Sequence, residues 1–155
     1  MSQHTSLIFV VASLTAGPPQ TADSVLGVFE GRTPCGTIAN DFTGFPSLTC
    51  EKIKWRLTLY RSPGAAAPST YLYEGTRTTR RGHWRVALGG GPGKRRTVYH
   101  LTPVGAGGPL SLYSVDDKVL ILLDRDGQVL VGDASWSYVL NRVSRSARQA
   151  APPDS

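Results

Sequence analysis

Apolar and polar residues alternate one for one from Lys52 to Arg61, where Ile53, Trp55, Leu57 and Leu59 interleave with Lys52, Lys54, Arg56 and Thr58. A period of two places one set on a buried face and the other on a wet face, as an antiparallel strand requires. Shorter apolar runs lie on either side: SVLGVFEG at 24–31, STYLYEGT at 69–76, GHWRVAL at 82–88, TVYHLTP at 97–103, PLSLYSV at 109–115 and KVLILLDRDG at 118–127. In GHWRVAL, Trp84, Val86 and Leu88 are expected on the buried side, with His83 and Arg85 opposite. The Asp126-Gly127 step suits a tight hairpin into a further strand, QVLVG. The final run is SWSYVLNRV, where Trp136, Tyr138 and Leu140 alternate with Ser137, Val139 and Asn141. Turn-forming stretches such as SPGAAAP and GGGPGKRR separate the runs, and no long segment has helical period. The pattern predicts an all-β fold of eight or nine strands. An antiparallel up-and-down barrel of about eight strands is expected ahead of a two-sheet sandwich, because closing the sheet removes its edges.

Composition agrees with this reading. The 155 residues make one domain, and 17 Gly with 11 Pro favour turns over long helices. Seventeen Lys and Arg against eleven Asp and Glu leave a net charge of +6. That balance favours anionic partners, although scattered cations also simply keep a surface soluble. The apolar run Leu7 to Ala16 is too short to span a bilayer and has the length of a signal-peptide core, with cleavage expected after Ala16 or Ala22. Its leading residues carry no Lys or Arg, and no Cys follows closely, so a lipid-anchored mature end is not expected. The organisation expected is a signal peptide or disordered N-terminus at 1–22, a barrel at 23–144 and a disordered tail at 145–155.

The order of segments carries a resemblance. GVFEGRTPC, a second cysteine, IKWRLTLY, GHWRV, YHL, LLDRDGQVL and YVLNRV span about residues 25–143. The set resembles the N-terminal domain of the NlpE family, the copper-resistance or copper-homeostasis lipoproteins of bacterial envelopes. The resemblance implies an eight-stranded barrel related to lipocalins, a periplasmic or envelope location, and a role in surface sensing or envelope-stress signalling. Copper enters only through the family's name. Two features depart from the family pattern: its C-x-x-C is opened by GTIANDFTGFPSLT between Cys35 and Cys50, and the lipobox cysteine is missing.

Cys35 and Cys50 are the only cysteines and the only weak metal candidates. Opening the C-x-x-C loses the preset geometry that lets two thiols share one soft ion. Further ligands are few, since His83 and His100 fall on different strands and Met1 is the sole methionine. Export implies an oxidising compartment, so a disulfide between Cys35 and Cys50 is expected. Closing a loop of this length is worth about 3 kcal/mol.

Other candidates carry less. GGGPGKRR has Leu88 and Arg95 where a phosphate loop needs Gly and Ser or Thr, leaving Lys94, Arg95 and Arg96 as a bare basic loop. Asp116, Asp117, Asp124 and Asp126 lack calcium-loop spacing and read as turn residues. Arg77, Arg80, Arg81 and Arg85 surround His83 and Trp84 and read as a solvated hairpin, so no nucleic-acid partner is expected. No catalytic set has local support. The expectation is a non-enzymatic exported module without a cofactor, acting on an envelope protein. The alternatives are a lipocalin-like carrier of a small apolar ligand and a Cu(I)-binding protein using the two thiols. Membrane-surface association without a lipid anchor is the remaining partner class.

Overall fold

The computed structural model describes residues 22–46, 49–65, 67–89 and 95–144. The segment read as a leader lies outside these residues except for Ala22, as do the tail at 145–155 and residues 90–94 of the basic loop. The chain folds as β1 (Ser24–Pro34), α1 (Thr37–Thr43), β2 (Lys52–Arg61), β3 (Pro68–Glu74), β4 (Thr79–Gly89), β5 (Arg96–Pro103), β6 (Leu110–Ser114), β7 (Val119–Leu123) and β8 (Val139–Val143). Each strand pairs antiparallel with the next, and β8 returns to β1 through Val28↔Val143, Phe29↔Arg142 and Glu30↔Asn141. The result is a closed eight-stranded up-and-down barrel.

Alternation along each strand sets its inner face. Ile53, Trp55, Leu57 and Leu59 of β2 are all buried, and their cross-strand partners continue the set: Leu57 faces Tyr73, and Leu59 faces Tyr71. Leu101, Leu110, Leu112, Leu120, Leu122 and Leu140 complete the interior from β5 to β8. Burying each leucine contributes about 1.5–3 kcal/mol, so the core is the main source of stability. Gly82 lies on the same inner face. A Cβ there would collide with the Thr102 carbonyl and come within 2.7 Å of the Tyr71 ring, so only glycine lets β4 and β5 approach this closely.

Three expectations need correction. QVLVG does not form a strand. The turn before it does form, with Asp124 Oδ1 accepting the N–H groups of Asp126 and Gln128. Beyond it only the bridge Leu123↔Val129 follows. β8 pairs with β7 only from Val119 to Ile121 and takes that part of its side. QVLVG therefore finds only the short end of β7 beyond it, where the Leu130 N–H donates to the Leu122 carbonyl at 3.0 Å. The last strand is also shorter than expected. Asp133 Oδ1 accepts the N–H groups of Ser135 and Trp136, and this turn holds Trp136 outside β8.

The third correction concerns β4. Trp84 is 5% exposed, but Val86 and Leu88, on the same side of the strand, are 45% and 69% exposed. β3 pairs with β4 only from Thr79 to His83, whereas β5 follows it to Gly89. The β4–β5 hairpin therefore outruns the barrel rim, and its inner face beyond Trp84 has no core to meet.

Candidate functional site

One end of the barrel is closed by the segment between the cysteines. Cys35 directly follows β1 and Cys50 stands just ahead of β2. The two are joined as a disulfide, with Cα atoms 5.9 Å apart. Between them lies α1, a helix in a stretch whose composition shows no helical period. Ala39, Phe42 and Thr43 are its buried residues along with Asn40, and the first three have the spacing of one helical face. Seven residues, about two turns, are too few to produce a visible period. Gly44 ends it at φ 70°, a left-handed cap that glycine adopts without strain, and its N–H donates to the Asn40 carbonyl at 2.7 Å. The Asn40 side chain pins both ends of the segment. Its Oδ1 accepts the Gly36 N–H at 2.8 Å, and its Nδ2 donates to the Phe45 carbonyl at 3.0 Å.

Phe42 enters the barrel fully buried, with its ring centroid within 5.8 Å of those of Trp55, Tyr71 and Tyr73. Such aromatic contacts add about 0.5–1.5 kcal/mol per pair beyond burial. Trp55 Nε1 donates to Thr33 Oγ1 at 2.9 Å in the same layer, which satisfies the one polar atom of the indole. At the rim, Lys52 Nζ lies 5.1 Å from the Trp136 ring centroid.

A second side chain departs from its expected place. Arg80, expected on a solvated hairpin, stands opposite Tyr73 in the β3–β4 register and so shares that residue's inward face. A side chain at Gly44 would collide with its guanidinium, which places the cation against the C-terminal end of α1. Burial pushes the hydroxyls of Tyr71 and Tyr73 up to about 12, against the opposing effect of the Arg80 charge. Tyr73 also donates to the Lys54 carbonyl at 3.2 Å. The parity of Arg80, Gly82 and Trp84 was the signal for this placement. Arg81 and Arg85 do lie on the exposed face, as expected.

Two clefts found among the described residues lie away from the buried core. One, of about 250 Å³, is lined by Ile38, Asp41, Pro109, Ser111 and Asp124, with Arg125 closing it through an ion pair to Asp41 at 3.4 Å. The other, of about 260 Å³, follows the β1–β8 seam beside Leu26 and Arg142. Neither is lined by the central leucines Leu57, Leu101 or Leu112.

His83 is exposed, and His100 pairs its Nδ1 with Ser111 Oγ at 2.9 Å on the outer face. Burial, with the Arg85 charge as a smaller effect, holds the His100 imidazole below its usual pKa. Asp116 behaves as a turn residue, its Oδ1 accepting the N–H groups of Lys118 and Val119. Among the described residues no three His, Cys, Asp or Glu side chains gather as metal ligands. The disulfide-bonded cysteines offer no thiolate, so the residues described do not fit a copper site. No helix among the described residues is long and apolar enough to cross a membrane.

An up-and-down barrel whose end is stoppered by a disulfide-held helix defines the class of this domain. The chain belongs to the NlpE N-terminal domain family, whose model matches residues 43–133, more than half of its length. The match runs from the last residue of α1 to the turn before β8 and contains Cys50 but not Cys35. No curated protein and no solved structure matches the chain.

Proposed function

We propose that this barrel is a non-enzymatic, exported module of the cell envelope that meets its partner through its outer surface and rims. The observation that carries the reading is the filled interior. Phe42 closes one end, and Phe29, Leu59, Trp84, Leu120 and Leu140 are buried in the rest of the barrel, so the inner face is used up by its own side chains. A lipocalin-like carrier needs that volume for its ligand. Membership of a family of envelope lipoproteins supports the location, and a bonded cysteine pair accords with an oxidising compartment. Surface sensing or envelope-stress signalling would then begin with a contact made outside the barrel.

The test is native and denaturing mass spectrometry on protein recovered from the periplasm of an expressing cell, alkylated with and without reductant. The expected result is a chain with nothing retained, whose two cysteines alkylate only after reduction. A copurifying apolar molecule would turn the reading toward a carrier. Folded protein kept in the cytoplasm with free thiols would remove the envelope assignment and make Cu(I) titration of the two thiols the next step.

A further inference from the structure

The β4–β5 hairpin combines three properties that the core does not explain. It extends past the rim, with β4 from Trp84 to Gly89 paired to β5 alone. It carries Val86 and Leu88 on its inner side, 45% and 69% exposed, where alternation should have buried them. It is also cationic. Arg95 is exposed next to the start of β5, and Arg85 is exposed on the face of β4 opposite Val86 and Leu88. Arg96, on that same outer face, starts β5 with its guanidinium 5.4 Å from the Tyr113 ring centroid. The ion pairs found among the described residues engage Lys52, Arg56, Arg125 and Arg142, and none of the hairpin arginines.

We propose that this hairpin docks the barrel end-on on an anionic phospholipid surface, with Leu88 and Val86 on its inner side entering the headgroup layer and Arg95, together with Arg85 and Arg96 on its outer side, reaching the lipid phosphates. Each half of the pattern selects part of the partner. Arginines without acidic partners favour a negatively charged surface, each contributing through short-range attraction to anionic lipid. Exposed aliphatic side chains on the other face of the same projecting hairpin favour a surface with an apolar interior just below its charge. A nucleic acid would use the cations but not the aliphatics, and it would need exposed rings for stacking. Trp84 is buried, and Arg96 lies over Tyr113. The inference rests on the reading of the barrel as a surface-acting module. The two fail separately, since vesicle binding says nothing about export or about a filled interior.

The experiment is co-sedimentation of the full chain with phosphatidylcholine vesicles, with and without phosphatidylglycerol, at low and raised salt. The expected result is binding to the anionic vesicles only, weakened as salt screens the charges. Leu88→Asp and the pair Arg95→Glu with Arg96→Glu should each lower partitioning by about tenfold or more, with circular dichroism unchanged at these surface positions. Absence of wild-type binding to anionic vesicles overturns the proposal. So does equal binding by wild type and both variants, which would place the contact elsewhere in the chain. Loss of binding in the arginine variant but not in Leu88→Asp also overturns it, and points to a polyanion in place of a bilayer.

Discussion

The ring of Phe42 lies stacked on that of Trp55, with centroids 5.7 Å apart and planes only 12° from parallel. One residue belongs to a seven-residue helix and the other to the most regular strand of the barrel. Their contact converts an irregular connection into a stopper. Phe42→Ala should therefore cost about 3–5 kcal/mol, the usual range for a large aromatic lost from a core. Urea unfolding should show this as a lower midpoint with an unchanged slope. An unchanged midpoint would mean that the helix does not hold its place in the barrel.

The disulfide acts on the same segment from outside. Replacing both cysteines by serine should lower stability by about 3 kcal/mol through the freed loop in the unfolded chain. Because the bond and Phe42 restrain one segment, their effects should not add. A double-mutant cycle should give a coupling of about 0.5 kcal/mol or more. Strict additivity would separate the staple from the stopper.

Tyr71 and Tyr73 should ionise late. Burial raises both from 10.0 to about 12 in the folded state, and burial followed by the Asp133 charge raises Tyr138 too. The unfolded chain loses these protons first as pH rises. Their contribution to stability is therefore complete below pH 10 and declines as pH climbs from 10 toward about 12. Ultraviolet difference titration should resolve an early group of tyrosines and a late one. Phe42→Ala, by opening the layer above them, should bring the late group down.

Gly82→Ala should destabilise by about 1–3 kcal/mol, because the added methyl meets the Thr102 backbone, which cannot move without breaking the β4–β5 register. Thermal melting provides the check. Gly64→Ala, in a turn with open space around it, serves as the contrast. Its strain comes only from a φ of 79°, so its loss should be smaller.

Much of this architecture could be read from local pattern. A strand exposes its alternation wherever one face is buried, so Ile53, Trp55, Leu57 and Leu59 announced β2, and similar runs announced the other strands. Turn chemistry is equally local. Asp116 and Asp124 bond to backbone groups a few residues away, and their roles did not depend on the rest of the fold. Joining the two cysteines needed only their number and the redox state of the expected compartment.

What alternation could not supply was the depth of each residue in the barrel. Val86 and Leu88 repeat the parity of Trp84, yet the core ends where β3 stops pairing with β4, a boundary set by another strand's length. The same parity sends Arg80 inward, against every expectation from its charge, because the space beside Tyr73 and Gly44 receives it. QVLVG has the composition of a strand but meets only the Leu122–Leu123 end of β7, because β8 takes the rest of that side in closing the barrel. Residues 37–43 have too few turns to show a helical period, and only the open end of the barrel selects the helix that brings Phe42 inside. Side-chain parity is fixed by neighbours along the chain. Whether a face meets core, solvent or nothing is decided by strands distant in sequence, and the exposed hairpin, the stopper and the inward arginine arise there.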